Sequence, residues 1–166
     1  KLETGVNIKA AEKFVKEKRI VIRPMPDFSK QLGSVSLDLR LGKDITLLNT
    51  DQSNIVVTDE SITLPPGEFC LGITQEYVEL PDDLCGTLHG RSSLGRQGLM
   101  IHSTAPLIDA GFRGNIVLEL YNMGPKAITL AIGMRVCALT FEQLLSPAKV
   151  PYYKKKSAKF VGQKKP

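Results

Sequence analysis

Several of the groups from which functional sites are often built are scarce in this chain. It has no tryptophan and only 6% aromatic residues. None of these interleaves with basic residues along an apolar run, so a base-stacking nucleic-acid platform is not expected. No apolar run approaches the ~20 residues of a membrane-spanning helix, and no basic-then-apolar leader opens the sequence. Neither a membrane nor a nucleic acid is therefore an expected partner. Cysteine is limited to Cys70, Cys85 and Cys137, an odd number without a C-x-x-C pair. That reads as reduced thiols in a cytoplasmic compartment rather than a disulfide framework. All three lie in apolar runs, where a cysteine serves as a small buried hydrophobe. The two histidines, His89 and His102, have no metal-like spacing to any cysteine. A G-x-x-x-x-G-K-[ST] stretch is also missing, which excludes a P-loop.

What is present suffices for one folded unit. The 166 residues are 42% hydrophobic, and no repeat or linker divides them, so 1–166 is read as a single domain. Residues 8–19 (IKAAEKFVKEKR) place Ile8, Ala11, Phe14 and Val15 at helical spacing, with Asn7 as N-cap. This predicts a short N-terminal helix, with a lead-in strand completing residues 1–22. After Pro24 and Pro26 the period changes to two. SVSLDLRL alternates over 34–41, and short β-rich runs follow at 45–48, 55–58, 69–74, 87–89, 99–102, 115–121, 128–130 and 135–141. Turn sequences such as PPG at 65–67, PDD at 81–83 and MGP at 123–125 separate them. The expectation is a mainly β fold: a sandwich, a jelly roll or a distorted barrel.

Charge is uneven. The net charge is +5, yet residues 149–166 hold seven lysines and no acid, leaving 22 − 7 = 15 basic against 17 acidic residues elsewhere. A basic tail on a body near −2 suggests a polyanionic partner such as a nucleotide triphosphate.

Three stretches carry candidate chemistry. Residues 89–98, HGRSSLGRQG, combine two arginines, two serines and three glycines, the makings of an anion cradle. Residues 108–114, IDAGFRG, set Asp109 ahead of a glycine-rich turn. Residues 115–122, NIVLELYN, place Glu119 between Val117 and Tyr121 on a strand with two largely apolar faces. A carboxylate there is costly unless it has a partner or a task.

GRSSLGR, HSTAPLIDAGFRG and IVLELYN together resemble the dCTP deaminase branch of the dUTPase-like superfamily. RIVIRP and SVSLDLRLG resemble its N-terminal segment, VELPDDLCGTLHGRSSLG its approach to the site, and Pro151-Tyr152 with AKFVGQ its closing segment. The resemblance covers nearly the whole chain in order. It implies a distorted jelly-roll or β-barrel of the dUTPase-like type, and deamination of dCTP to dUTP and ammonia without zinc. The sequence also lacks the H-x-E and P-C-x-x-C pattern of zinc nucleobase deaminases.

The site residues follow from the same resemblance. Glu119 is implied as proton shuttle, an apolar setting raising its pKa. Ser92 and Arg96 would hold water and base, and the carbonyl of Ala105 would accept from the exocyclic amine. Arg91, Ser92 and Ser93, with Leu94, Gly95 and Arg96, would receive the nucleotide and its phosphates. Asp109 would meet the 3′-hydroxyl, with Val117 and Leu118 lining the pocket. Tyr152, Lys159 and Gln163 would come from the basic tail, 149–166, folding over the nucleotide. Mg²⁺ would arrive on the triphosphate rather than on protein side chains. A homotrimer with shared sites is implied, with dTTP a candidate inhibitor. Between Ala105 and Asp109, Pro106 and Leu107 match neither the His-Arg pair frequent in dUTP-forming relatives nor the glycine–aromatic pair of those that continue to dUMP. The bifunctional enzyme therefore stands as an alternative. Ala138 replaces a glutamine of some relatives, and Phe160 a frequent tyrosine. A pure dUTPase with Asp109 activating water is a third reading, weakened by Glu119 and by a tail without a glycine-rich phosphate motif. A binding module using its lysines on nucleic acid is a fourth.

Overall fold

A computed structural model describes residues 8–48 and 54–166. Asn7, the expected N-cap, lies outside them. Helix α1 (Ile8–Lys16) buries Ala11 and Val15, with Phe14 packed against the core. It ends sooner than the predicted residue 19, because Lys18 takes a positive φ of 59°. The lead-in strand β1 (Val21–Arg23) follows, then a short helix α2 (Phe28–Gln31) capped by Asp27, whose side chain accepts from the Ser29 N–H.

The remainder is mainly β: β2 (Leu37–Arg40), β3 (Thr46–Leu47), β4 (Val56–Val57), β5 (Ser61–Leu64), β6 (Phe69–Glu79), β7 (Leu84–Gly90), a one-turn helix α3 (Ser92–Gly95), β8 (Leu99–Met100), β9 (Leu107–Ile108), β10 (Arg113–Asn122), β11 (Ile128–Ala131) and β12 (Arg135–Gln143). Antiparallel pairing forms three sheets. One runs β1-β6-β10-β8 with β3 also on β6; one runs β11-β5-β4; one runs β2-β12-β7-β9. Their inner faces share one core that includes Leu39, Leu64, Leu88, Leu118, Leu120 and Leu139. A jelly-roll-like fold is consistent with this arrangement. Among the described residues no helix is long and apolar enough to cross a membrane.

The two long strands position the site. Along β10 the even residues from Gly114 to Asn122 are buried and the odd ones more open, the alternation expected of a strand lying on a core. Its register with β6 shifts between Asn115, opposite Tyr77, and Val117, opposite Ile73. At this bulge the Ile116 N–H donates to Thr74 Oγ1 at 2.9 Å instead of completing the ladder, and Asn115 Nδ2 donates to the Thr74 carbonyl at 2.9 Å. Such irregularities re-aim side chains. The same bulge turns Glu76 inward, where it is fully buried. Arg40 Nε reaches Glu76 Oε1 at 2.7 Å, the Arg40 N–H donates to Oε2 at 2.8 Å, and Gln31 Nε2 donates to Oε1 at 3.0 Å.

Cys70 and Cys137 are buried, as expected, and burial pushes the Cys70 thiol up to about 12 and raises that of Cys137 as well. Cys85 is only partly buried, because the β7 face it occupies opens onto the strand's outer side.

Candidate active site

Residue Glu119 stands on the more open face of β10 and lines a cavity of about 380 Å³. Its Oε2 accepts from the backbone N–H of Ser103 at 2.5 Å. The Glu119 N–H donates in turn to the Ile101 carbonyl at 3.0 Å. The loop that follows β8 is thus bonded to both the backbone and the side chain of this residue, which fixes one carboxylate oxygen. Among the described residues Glu119 has no ion-pair partner. The surroundings are largely apolar: Leu71, Leu88, Ile108, Phe112, Ile116 and Val117 contribute to the walls. Tyr121, the neighbour of Glu119 on the same face, pairs with Met100 of β8 and lies outside the lining, whereas Val117 lies within it.

The cavity also gathers Ala105, Asp109, Tyr152 and Gln163, four further residues expected at the site. The tail reaches them in two steps. Pro151 is buried against Gly111, the Tyr152 N–H donates to the Ala110 carbonyl at 2.9 Å, and the 3₁₀ turn Tyr152–Lys154 follows. Further on, the Gly162 N–H donates to the Arg113 carbonyl at 2.6 Å, and the Asn115 N–H to the Gln163 carbonyl at 2.8 Å. The chain end is thereby laid beside the start of β10, in a parallel bridge between Gly114 and Gln163.

Gly111 has φ +76°, and an added Cβ would come within 2.6 Å of Pro151 Cβ and 3.0 Å of Tyr153 Cδ1. Gly111→Ala is therefore expected to loosen the tail, adding about 1–2 kcal/mol of backbone strain to the contact. Trypsin cleavage in the lysine run 154–156 should accelerate about tenfold. Unchanged cleavage would show that the tail is not anchored at this turn.

Other expected residues lie elsewhere. Leu118 is fully buried in the core, on the face of β10 opposite Glu119. Lys159 is exposed and does not line the cavity, whereas its neighbour Phe160 does. None of the residues from Arg91 to Arg96 lines it. They form α3 and its flanks. There Leu94 is buried as an anchor, and Ser92, Ser93, Gly95 and Arg96 are exposed. Arg91 is turned away, with its guanidinium 3.4 Å from Asp38 and bonded to the Arg135 carbonyl at 3.1 Å. The turn after α3 is pinned to the end of β10, where the Met123 N–H donates to the Gly98 carbonyl at 2.9 Å. A Cβ on Gly98 would lie 2.3 Å from the Gly124 nitrogen, and one on Gly124 would lie 2.0 Å from the Gln97 carbonyl oxygen.

The structure adds residues that the sequence reading did not assign. Asn115 shares a face with Val117 and Glu119, so the two-residue period could have found it. Phe112 packs beside Tyr152, with ring centroids 6.0 Å apart. His102 lines the cavity with a buried Nδ1 that has no hydrogen-bond partner among the described residues. No spacing rule marks it. No group of three or more His, Cys, Asp and Glu side chains gathers in metal-binding fashion among the described residues.

Comparison with known proteins bears on family and fold. A family model described as dCTP deaminase-like matches residues 7–144. The chain is 43% identical to the dCTP deaminase of Thermomicrobium roseum, over 92% of this chain and 86% of the relative. It is also 43% identical to the dUMP-forming dCTP deaminase of Dictyoglomus turgidum, over 95% and 90% of the two chains. The structure resembles that of 2′-deoxycytidine 5′-triphosphate deaminase from Agrobacterium tumefaciens, with a TM-score of 0.66 at 20% identity, over 84% of this chain and 48% of that one. A dUTPase from phage phi11 of S. aureus shares the fold with a TM-score of 0.54 at 16% identity, over 77% and 92% of the chains. With a family model spanning most of its length and relatives above two-fifths identity, the chain belongs to the dCTP deaminase-like family.

Proposed function

We propose that this protein is a dCTP deaminase that hydrolyses the cytosine amine without zinc, with Glu119 carrying the protons. The observation that bears most weight is the setting of Glu119. Its carboxylate is held by one backbone N–H and faces a largely apolar cavity that also presents Ala105, Asp109, Tyr152 and Gln163. Hydrolysis needs a base for the attacking water and an acid for ring N3 and the departing amine, tasks that one carboxyl can perform in sequence. Water adds its oxygen to C4 while Glu119 takes its proton and delivers it to N3. The same carboxyl then takes the remaining proton from the new C4 hydroxyl and passes it to N4, and the C4=O bond forms as the C4–N4 bond breaks. The products are dUTP and ammonia. Ala105 would accept from the exocyclic amine, Asp109 would receive the sugar hydroxyl, and Val117 would wall the base.

Ser92 and Arg96 are absent from this cavity but exposed on α3. This supports a homotrimer in which α3 of a neighbouring copy brings its hydroxyls and guanidinium to the glutamate. Mg²⁺ would reach such a site on the triphosphate oxygens. Bound there, it would neutralise phosphate charge. The lysines of the tail supply the remaining cations.

A second reading is the bifunctional enzyme, favoured by relatives at 39–43% identity whose names specify dUMP formation. Incubation with dCTP and Mg²⁺, followed by chromatography of the nucleotide, decides. The expected outcome is ammonia release with dUTP. Accumulation of dUMP and pyrophosphate selects the bifunctional reading, and no ammonia at all overturns both.

A further inference from the structure

Asp109 is shared between two cavities. It lines the 380 Å³ cavity that holds Glu119, and it also lines a neighbouring space of about 220 Å³ with Cys85, Ala110, Val150 and Lys155. Lys155 belongs only to the second. From there its Nζ lies 3.0 Å from Asp109 Oδ2. The ammonium thus holds one oxygen of a carboxylate that also lines the Glu119 cavity, and it lies 5.9 Å from the ring centroid of Tyr152. A carboxylate can accept at both oxygens, so Oδ1 stays free for a donor in the larger cavity.

The lysine is brought there by the tail anchor. The Lys155 N–H closes the 3₁₀ turn onto the Tyr152 carbonyl at 3.1 Å, and that turn rests on the Ala110–Gly111 corner immediately after Asp109. Both partners are about two-fifths exposed, at 42% and 38% of their side-chain surfaces. Such a pair contributes little to stability. Its consequence is orientation.

We propose that Lys155 is a positioning residue for sugar recognition: by holding Asp109 Oδ2 it aims Oδ1 at the 3′-hydroxyl of the nucleotide and makes that contact depend on a docked tail. The inference rests on the deaminase reading of Asp109 as the sugar contact. Losing the aim of one hydrogen bond should matter only to substrates that make that bond.

The experiment compares the wild type, Lys155→Met and Lys155→Arg on dCTP and on 2′,3′-dideoxy-CTP, which lacks the hydroxyl. For Lys155→Met, kcat/KM for dCTP should fall about five- to tenfold, chiefly through KM. Turnover of the dideoxy substrate should change less than about twofold, and Lys155→Arg should recover most of the loss. Equal losses on both substrates would overturn the proposal, since the lysine would then be acting on tail docking or phosphate charge. So would an unchanged kcat/KM for dCTP. A wild type that releases no ammonia from dCTP would instead remove the deaminase reading, and this inference with it.

Discussion

Glu119→Gln is expected to reduce dCTP turnover by ~10³-fold or more while nucleotide binding persists, the upper range for loss of a general acid–base group. The substitution keeps the shape of the side chain. An amide oxygen can still accept the Ser103 N–H that the carboxylate accepts at 2.5 Å, so the loop after β8 keeps its tie to β10. What disappears is the capacity to take a proton from water and return it to the ring. The measurement is single-turnover ammonia release alongside dCTP affinity by calorimetry. Turnover within tenfold of wild type would remove Glu119 from the chemistry. Loss of binding together with turnover would instead assign it to substrate retention.

Glu76→Ala should cause the largest loss of stability, about 3–5 kcal/mol, because it strips the partner from a charge in the interior. The Glu76 side chain is fully buried, and that of Arg40 is only about a quarter exposed. Truncation would leave the Arg40 guanidinium and backbone N–H, and the Gln31 amide, without their acceptor. The cost is one of unmet polar groups more than of lost attraction. Urea denaturation would read it as a lower midpoint at unchanged slope. A shift worth less than about 1 kcal/mol would mean that water or a rotated neighbour replaces the carboxylate. Replacing Arg40 and Glu76 together by apolar residues of similar volume should cost less than the single truncation.

The parts of this molecule that were legible from sequence are those whose period is set by one core. Residues 115–121 emerge as a strand extended by two residues at its start and one at its end, and residues 135–141, which alternate except at Val136–Cys137, as one extended by two at its end. Where pairing decides, the sequence was silent. β9 is two residues held by β7, and β5 is a four-residue run made a strand by β4 and β11. The run at 69–74 stopped short of Glu79 because the bulge buries Gly72, Ile73 and Thr74 in succession and breaks the alternation. The run at 34–41 shrinks to Leu37–Arg40 because a turn, Gly33 N–H to the Ser36 carbonyl, occupies its start. The site divides the same way. Glu119, Asp109, Tyr152 and Gln163 were found through motif resemblance, and they converge on one cavity. The Ser103 amide could not be found, since every residue but proline has one. The separation of α3 from that cavity depends on the third dimension alone.

The contact between Gly98 and Gly124 bears on that separation. Main chain touches main chain there, with no side chain between to flex or shorten. The arginine-bearing turn is therefore riveted to the end of the glutamate's own strand, where it stands outside the cavity that Glu119 lines. Under the proposed homotrimer, the grip that a carboxylate lacks in its own molecule would be lent by the turn of a neighbouring copy.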